Sequence, residues 1–242
     1  MANKLTTENI EAAVQHLQNI QSGVTPILDG VDRTVVEDAE IVETLDLGNQ
    51  VIEKKHKRVF PLIPPNDPRL LMQIAPFMDD TLQNYDFASR KELCEVMYDN
   101  MAKYGGLGLS ANQVGLPYRM FIMGGHPEIE DGKVRCVFNP LINDVSEESV
   151  VMKEGCLSFP FLFLGIKRPK WVSVRYTDEN GEEIEETLHG MPARMFQHEN
   201  EHMNGYVFTD LVSKLKLERA EKSKQKMIKE IKKRQSALQI IT

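Results

Sequence analysis

The sequence predicts an α+β fold: antiparallel or mixed sheets around a central helix that carries a His-Glu-x-x-His pattern, with a further helix at the C-terminus. Three observations lead there. Runs rich in β-branched and aromatic residues at 119–123, 134–138, 171–176 and 183–188 read as strands. Asn180-Gly181, between the last two runs, is a strong hairpin signal. The strands precede two helical patterns rather than alternating with helices, so a parallel βαβ sheet is not expected.

Taken in order, residues 1–57 read as an N-terminal extension. Ile10, Ala13, Val14, Leu17 and Ile20 fall at helical spacing, with Thr6 or Thr7 as a cap and Gly23 as a stop. Short β-branched clusters over 35–52, broken at Gly48-Asn49, suggest a hairpin without chemistry. The proline-rich segment FPLIPPNDPRL (60–70) should be extended and mark a boundary. Ser89 is placed to cap a helix carrying Leu93, Val96, Met97 and Met101, which Gly105-Gly106 ends. Pro192 opens the helix with the His pattern, and Asn204-Gly205 closes it. A last helix runs over about 213–235. The expected division is an extension (1–57), a catalytic domain (58–212) and a basic C-terminal helix (213–242).

Of the 242 residues, 41% are hydrophobic and 27% charged, the balance of a globular domain with extensions. No apolar run approaches the roughly 20 residues of a membrane-spanning helix. The first residues, MANKLTTENIEAAVQ, have neither an apolar signal core nor an Arg-rich transit character, so a cytoplasmic protein is expected. Cys94, Cys136 and Cys156 show no CxxC spacing, and no disulfide framework is expected. The net charge of −7 is unevenly spread: residues 214–234 hold ten Lys/Arg and three Asp/Glu, so the rest carries −14. A basic tail on an acidic body suits a polyanionic partner, or is simply a solvated helix face.

The chemistry concentrates in His198-Glu199-Asn200-Glu201-His202. Four residues apart on a helix, both imidazoles can reach one ion while Glu199 projects beside it. Neutral imidazole suits zinc or ferrous iron, at about 2.0–2.1 Å for zinc. Such an ion lowers the pKa of a bound water, and a neighbouring carboxylate can shuttle the proton. A pattern this short also arises by chance on a polar helix face. A hydrolytic site needs a third ligand, and Cys156, Glu201 and His189 are candidates. Downstream of His202 there is no histidine, and Glu218, Glu221 and Glu230 lie in the basic tail.

Three separated segments carry a resemblance to the peptide deformylases of the bacterial type. GLGLSANQ (106–113) resembles their glycine-rich first motif, EGCLS (154–158) is identical to their second, and QHENEH (197–202) resembles their third. Their order and spacing fit, as does NDPRL (66–70), and the resemblance covers roughly residues 58–235. It implies a metal-dependent hydrolase that removes the N-formyl group from the initiator methionine of nascent polypeptides and releases formate. It implies Cys156, His198 and His202 as metal ligands, with Fe²⁺ typical and Zn²⁺, Ni²⁺ or Co²⁺ as substitutes. Hydroxide on the metal would attack the formyl carbon with Glu199 as acid/base. The side-chain amide of Gln113 and the backbone N–H of Leu157 would donate to the oxyanion.

Gly108 would let backbone approach the substrate, and Leu107, Met191 and Met195 would form a methionine pocket. Arg168 could pair with Glu154 and hold the cysteine loop. The basic helix would contact ribosomal RNA, and a monomer is the default. The chain departs from the family pattern at Ser110 (usually Ala), Glu201 (usually Asp) and Met203 (usually Leu), each a conservative change that removes no ligand. The competing readings are a zincin-like endopeptidase, which would need a ligand downstream of His202, and a non-catalytic ribosome-binding protein.

Overall fold

The computed structural model describes residues 58–239, with side chains to residue 233; the expectations for residues 1–57 lie outside the described residues. The chain enters in extended form, and Asp67 caps a single 3-10 turn, Pro68–Leu71. Helix α1 (Arg90–Lys103) begins where Ser89 accepts a hydrogen bond from the N–H of Glu92 at 3.2 Å. This satisfies one of the amides that a helix start leaves unpaired. The helix buries Leu93, Met97 and Met101 on one face, and Gly105 follows at φ +67°.

Seven strands follow: β1 (Gly108–Ser110), β2 (Met120–Gly124), β3 (Val134–Val145), β4 (Ser149–Cys156), β5 (Phe159–Pro169), β6 (Trp171–Thr177) and β7 (Glu183–His189). A five-stranded antiparallel sheet has the order β1-β2-β3-β6-β7, and β4-β5 form a second, two-stranded sheet. The β4–β5 hairpin grows from the end of the β3–β6 pair. There the hydroxyl of Ser146 accepts from the N–H groups of Lys170 and Trp171, at 2.7 and 3.2 Å. The predicted β6–β7 hairpin forms, with Gly181 at φ +82° in its turn.

Three strands went unread from the sequence. β1 has three residues, too few for a period to register, and the long β4–β5 hairpin has glycines at Gly155 and Gly165 that dilute its strand signal. Cys156 stands at the end of β4 at the hairpin tip, with Leu157 and Ser158 making the turn. The register slips between Gly155 and Cys156, where Phe161 adopts a left-handed φ of +63°. Such backbone costs a bulky residue on the order of 1–3 kcal/mol and persists where the surroundings over-determine it.

Helix α2 (Gly190–Met203) lies against the five-stranded sheet and buries Ala193, Phe196 and Met203 completely. Burial of Phe196 alone is worth about 1.5–3 kcal/mol. The same helix also buries Arg194, Gln197, His198, Glu199 and His202. A helix that hides that many polar groups needs partners for them. Helix α3 (Lys214–Gln239) packs Leu217 and Ala220 against Leu162, Leu164 and Ile166 of β5.

Candidate metal centre

One face of α2 meets the hairpin tip. His198 and His202 are one turn apart, their rings 5.3 Å between centroids, as the i, i+4 spacing dictates. Sγ of Cys156 lies 3.3 Å from Nε2 of His202. The ligand atoms of Cys156, His198 and His202 all fall within 4.8 Å of one another, and all three residues are buried. Among the described residues this is the group that can hold a metal ion. His189 is exposed and Glu201 is turned toward Arg168, so neither candidate joins the cluster.

The histidines are prepared as ligands from behind. Nδ1 of His198 faces Oε2 of Glu154 at 3.1 Å, which leaves Nε2 with a free lone pair. Glu154 in turn accepts from Arg168 Nε at 2.7 Å, Arg168 Nη2 at 3.0 Å and Arg194 Nη1 at 2.7 Å. Arg168 also donates to Glu201 at 2.9 Å. Burial alone would raise the pKa of Glu154, but these donors overcome it and hold the carboxyl down at about 2. Burial also opposes charge on His198, yet Cys156 and Glu154 outweigh it and raise its pKa well above the ordinary value. Burial depresses that of His202.

Arg168 and Glu154 meet as the sequence suggested; Arg194 was missed. It donates to the carbonyls of Val150 and Ile166 as well as to Glu154, so it straps α2 to both strands of the hairpin. The signal was available: Arg194 stands four residues before His198, so it shares the helix face that the metal motif turns inward, where a charge must have a buried partner.

Glu199 is buried, and burial pushes its pKa up to about 7. Its Oε2 has no hydrogen-bond partner among the described residues, nor has Nδ1 of His202. Buried unpaired polar atoms are few in folded proteins, and a carboxyl oxygen left over beside three metal-ligand side chains fits a reacting group. A thiolate and two imidazoles are the donors that zinc and ferrous iron accept, so the residues present fit a divalent cation. Gly108 adjoins Glu199: a Cβ there would run into the carboxyl group. Gly106 likewise leaves room for the side chain of Leu157.

Gln113 is buried in the 3-10 turn Ala111–Val114 after β1. Its Oε1 accepts from the N–H of Ser110 at 3.0 Å, so its Nε2 faces the centre, 3.3 Å from Sγ of Cys156 and 3.2 Å from Oγ of Ser158. Leu107, Met191 and Met195 belong to one apolar cluster with Phe196 and Ile129. Leu157 packs in a different cluster, beside Leu109 and Met101.

A buried Cys-His-His cluster with a raised glutamate on the metal-binding helix defines the chain as a metallohydrolase of the His-Glu-x-x-His type. The sequence model of the Polypeptide deformylase family matches residues 61–218. The chain belongs to that family, whose members remove the N-formyl group from nascent peptides. It is 44% identical over 126 residues to a peptide deformylase of Thermotoga neapolitana, covering 52% of this chain and 74% of the relative. To a peptide deformylase of Wolbachia pipientis it is 39% identical over 175 residues, 69% of this chain and 94% of the relative. The crystal structure of a peptide deformylase from Ehrlichia chaffeensis in complex with actinonin superposes with a TM-score of 0.60 at 39% identity, covering 69% of this chain and 97% of that one. No helix among the described residues is long and apolar enough to cross a membrane.

Proposed function

We propose that residues 58–212 form the catalytic unit and deformylate N-formylmethionyl peptides at the Cys156, His198 and His202 centre, with Glu199 moving the proton. A divalent cation held by those three side chains would supply Lewis-acid activation of water and of the formyl oxygen. Glu199 takes a proton from the attacking water and returns it to the leaving amine. A carboxyl with a pKa of about 7 is matched to both transfers near neutral pH. The Nε2 of Gln113 and the N–H of Leu157 donate to the oxygen that gains charge as the formyl carbon becomes tetrahedral. Leu107, Met191 and Met195 receive the methionine side chain, and Gly108 lets the peptide backbone approach. The observation that carries the reading is the unpaired carboxyl oxygen of Glu199, buried beside the ligand cluster.

Ferrous iron is the proposed native ion, with zinc, nickel or cobalt able to replace it; a cytoplasmic monomer is the proposed form. Release of formate from formyl-Met-Ala-Ser by the iron-loaded full chain tests the activity. None, with metal confirmed bound, rejects it.

The proposed partner of the basic helix is the ribosome. Lys153, Arg219 and Lys224 line a groove of about 290 Å³ with Phe161 and Phe163, a mixture of cations and aromatic rings that suits RNA phosphates and bases. Because Leu217 and Ala220 are packed on β5, truncation after Val212 would expose core. Replacing Lys153, Arg219 and Lys224 with Gln is the cleaner test: ribosome affinity and its salt dependence should both fall while peptide hydrolysis stays, and unchanged affinity rejects the contact.

A further inference from the structure

We propose that the acidic segment 35–47 of this same chain docks along the outer face of helix α3 and masks its lysines. At about 100° per residue, Arg219, Ala220, Ser223, Lys224 and Met227 fall on the side of α3 that borders the groove with Phe161 and Phe163. The opposite side lines a second, larger groove of about 740 Å³, with Lys214, Lys222, Lys226 and Lys229 beside Leu217. Its lining is chiefly apolar, since lysines present methylene stems below their charged heads. Leu215, which is 57% exposed, falls on this side too. Glu218 and Glu221 stand among the lysines, but Glu221 already pairs with Lys224 at 3.7 Å. Among the described residues Lys222, Lys226 and Lys229 form no ion pair. Cations along an apolar groove fit an occupant that is acidic and apolar at once.

The chain supplies such a segment. Residues 35–47, VVEDAEIVETLDL, hold five acidic side chains and no basic one, interleaved with Val36, Ile41, Val42 and Leu45. Leu47 stands eleven residues before Arg58, whose guanidinium donates to the carbonyls of Tyr85 and Asp86 and so fixes where the chain enters the body. Eleven extended residues span about 36–40 Å. A compact domain of this size has a radius of gyration of about 16 Å, so the segment can reach α3 from that entry point. The tether holds it at an effective concentration on the order of millimolar, and weak charge pairing then suffices. Docked, its carboxylates lower the positive charge of the helix and weaken the hold of α3 on any other polyanion.

Carbodiimide coupling of the full chain, which joins touching carboxyl and amino groups, tests the contact when read by peptide mass spectrometry. Amide links from Glu37, Glu40 or Glu43 to Lys222, Lys226 or Lys229 are expected at low salt. They should vanish at about 1 M salt, where charges are screened beyond about 3 Å. No such links, or links only to other surfaces, overturn the proposal. Mixing isotope-labelled with unlabelled chains tests the rival occupant: links between the two kinds of chain assign the face to a second copy and overturn it as well. Binding of poly(U) is the second measurement. The Glu37→Gln/Glu40→Gln/Glu43→Gln variant should bind poly(U) about tenfold more tightly at low salt. Glu182→Gln/Glu183→Gln/Glu185→Gln removes the same charge from exposed positions of the body and should change binding less than about twofold. Equal gains in the two variants, or none in the first, refute the masking. Neither measurement involves deformylation, so both still judge the contact if that reading fails.

Discussion

Replacing Glu154 with Gln should loosen the fold and the metal centre together. The carboxylate accepts two hydrogen bonds from Arg168, one from Arg194 and one from His198, and its side chain is 5% exposed, against 4% for each arginine. Glutamine keeps the volume but removes the charge, and it turns an NH₂ group toward donors. Arg168 then keeps Glu201 as its carboxylate partner, and Arg194 keeps only the carbonyls of Val150 and Ile166. Breaking a buried ion pair from one side costs about 3–5 kcal/mol, a large part of the roughly 5–15 kcal/mol that holds a domain folded. At roughly 2–4 °C per kcal/mol, Tm should fall by roughly 6–20 °C. His198 also loses the group that orients its ring, so metal affinity should weaken about 10- to 100-fold. Circular dichroism melts and competition against a chelator measure the two effects. Glu201→Gln is the control: its side chain is 22% exposed and its loss should cost about 1 kcal/mol or less. A Glu154→Gln melt within about 2 °C of wild type, with unchanged metal affinity, would show that the arginines do not depend on this carboxylate.

Three further outcomes are expected. Gly108→Ala should reduce kcat about 100-fold with metal still bound, because the new methyl displaces the Glu199 carboxyl group; near-normal turnover would remove the steric argument. Cys156→Ala should lose both metal and activity, measured by metal analysis and formate release, whereas a peptidase with another third ligand would retain both. Arg135→Met should flatten the acid side of the stability curve. Arg135 holds Glu130 below the usual 4.5, and it outweighs the burial that would raise Glu186. Carboxyl groups with lowered folded pKa values stabilise above pH 4.5 and lose that contribution as pH falls below it. Denaturant midpoints from pH 3 to 7 should therefore drop less steeply for the variant, and parallel curves would reject the coupling.

The sequence was most informative where spacing and side-chain chemistry coincide. Ser89, Asn180-Gly181 and the His198/His202 pair each impose a local geometry that needs little help from the rest of the chain, and each is found as expected. Cys156 was legible through its motif, but its place at a hairpin tip was not, because Gly155 and Gly165 mask the strand pattern. Arg194 and the hydroxyl of Ser110 escaped for a different reason. Their importance lies in partners 40 positions away, at Glu154, and three away but folded back, at Gln113. A one-dimensional pattern records that a polar group is present, whereas only the packing shows which group satisfies it.

The hairpin and helix that supply the ligands belong to different layers, with 46 positions of chain between Cys156 and His202. An ion shared by the two closes that span much as a cross-link does. An ion at about 100 times its Kd adds about 2.7 kcal/mol to stability, exerted across this seam. Opening of the hairpin from α2 is then the local event through which proteases would reach the chain. Loss of the ion would therefore shorten the survival of a copy exposed to protease, in addition to stopping its chemistry.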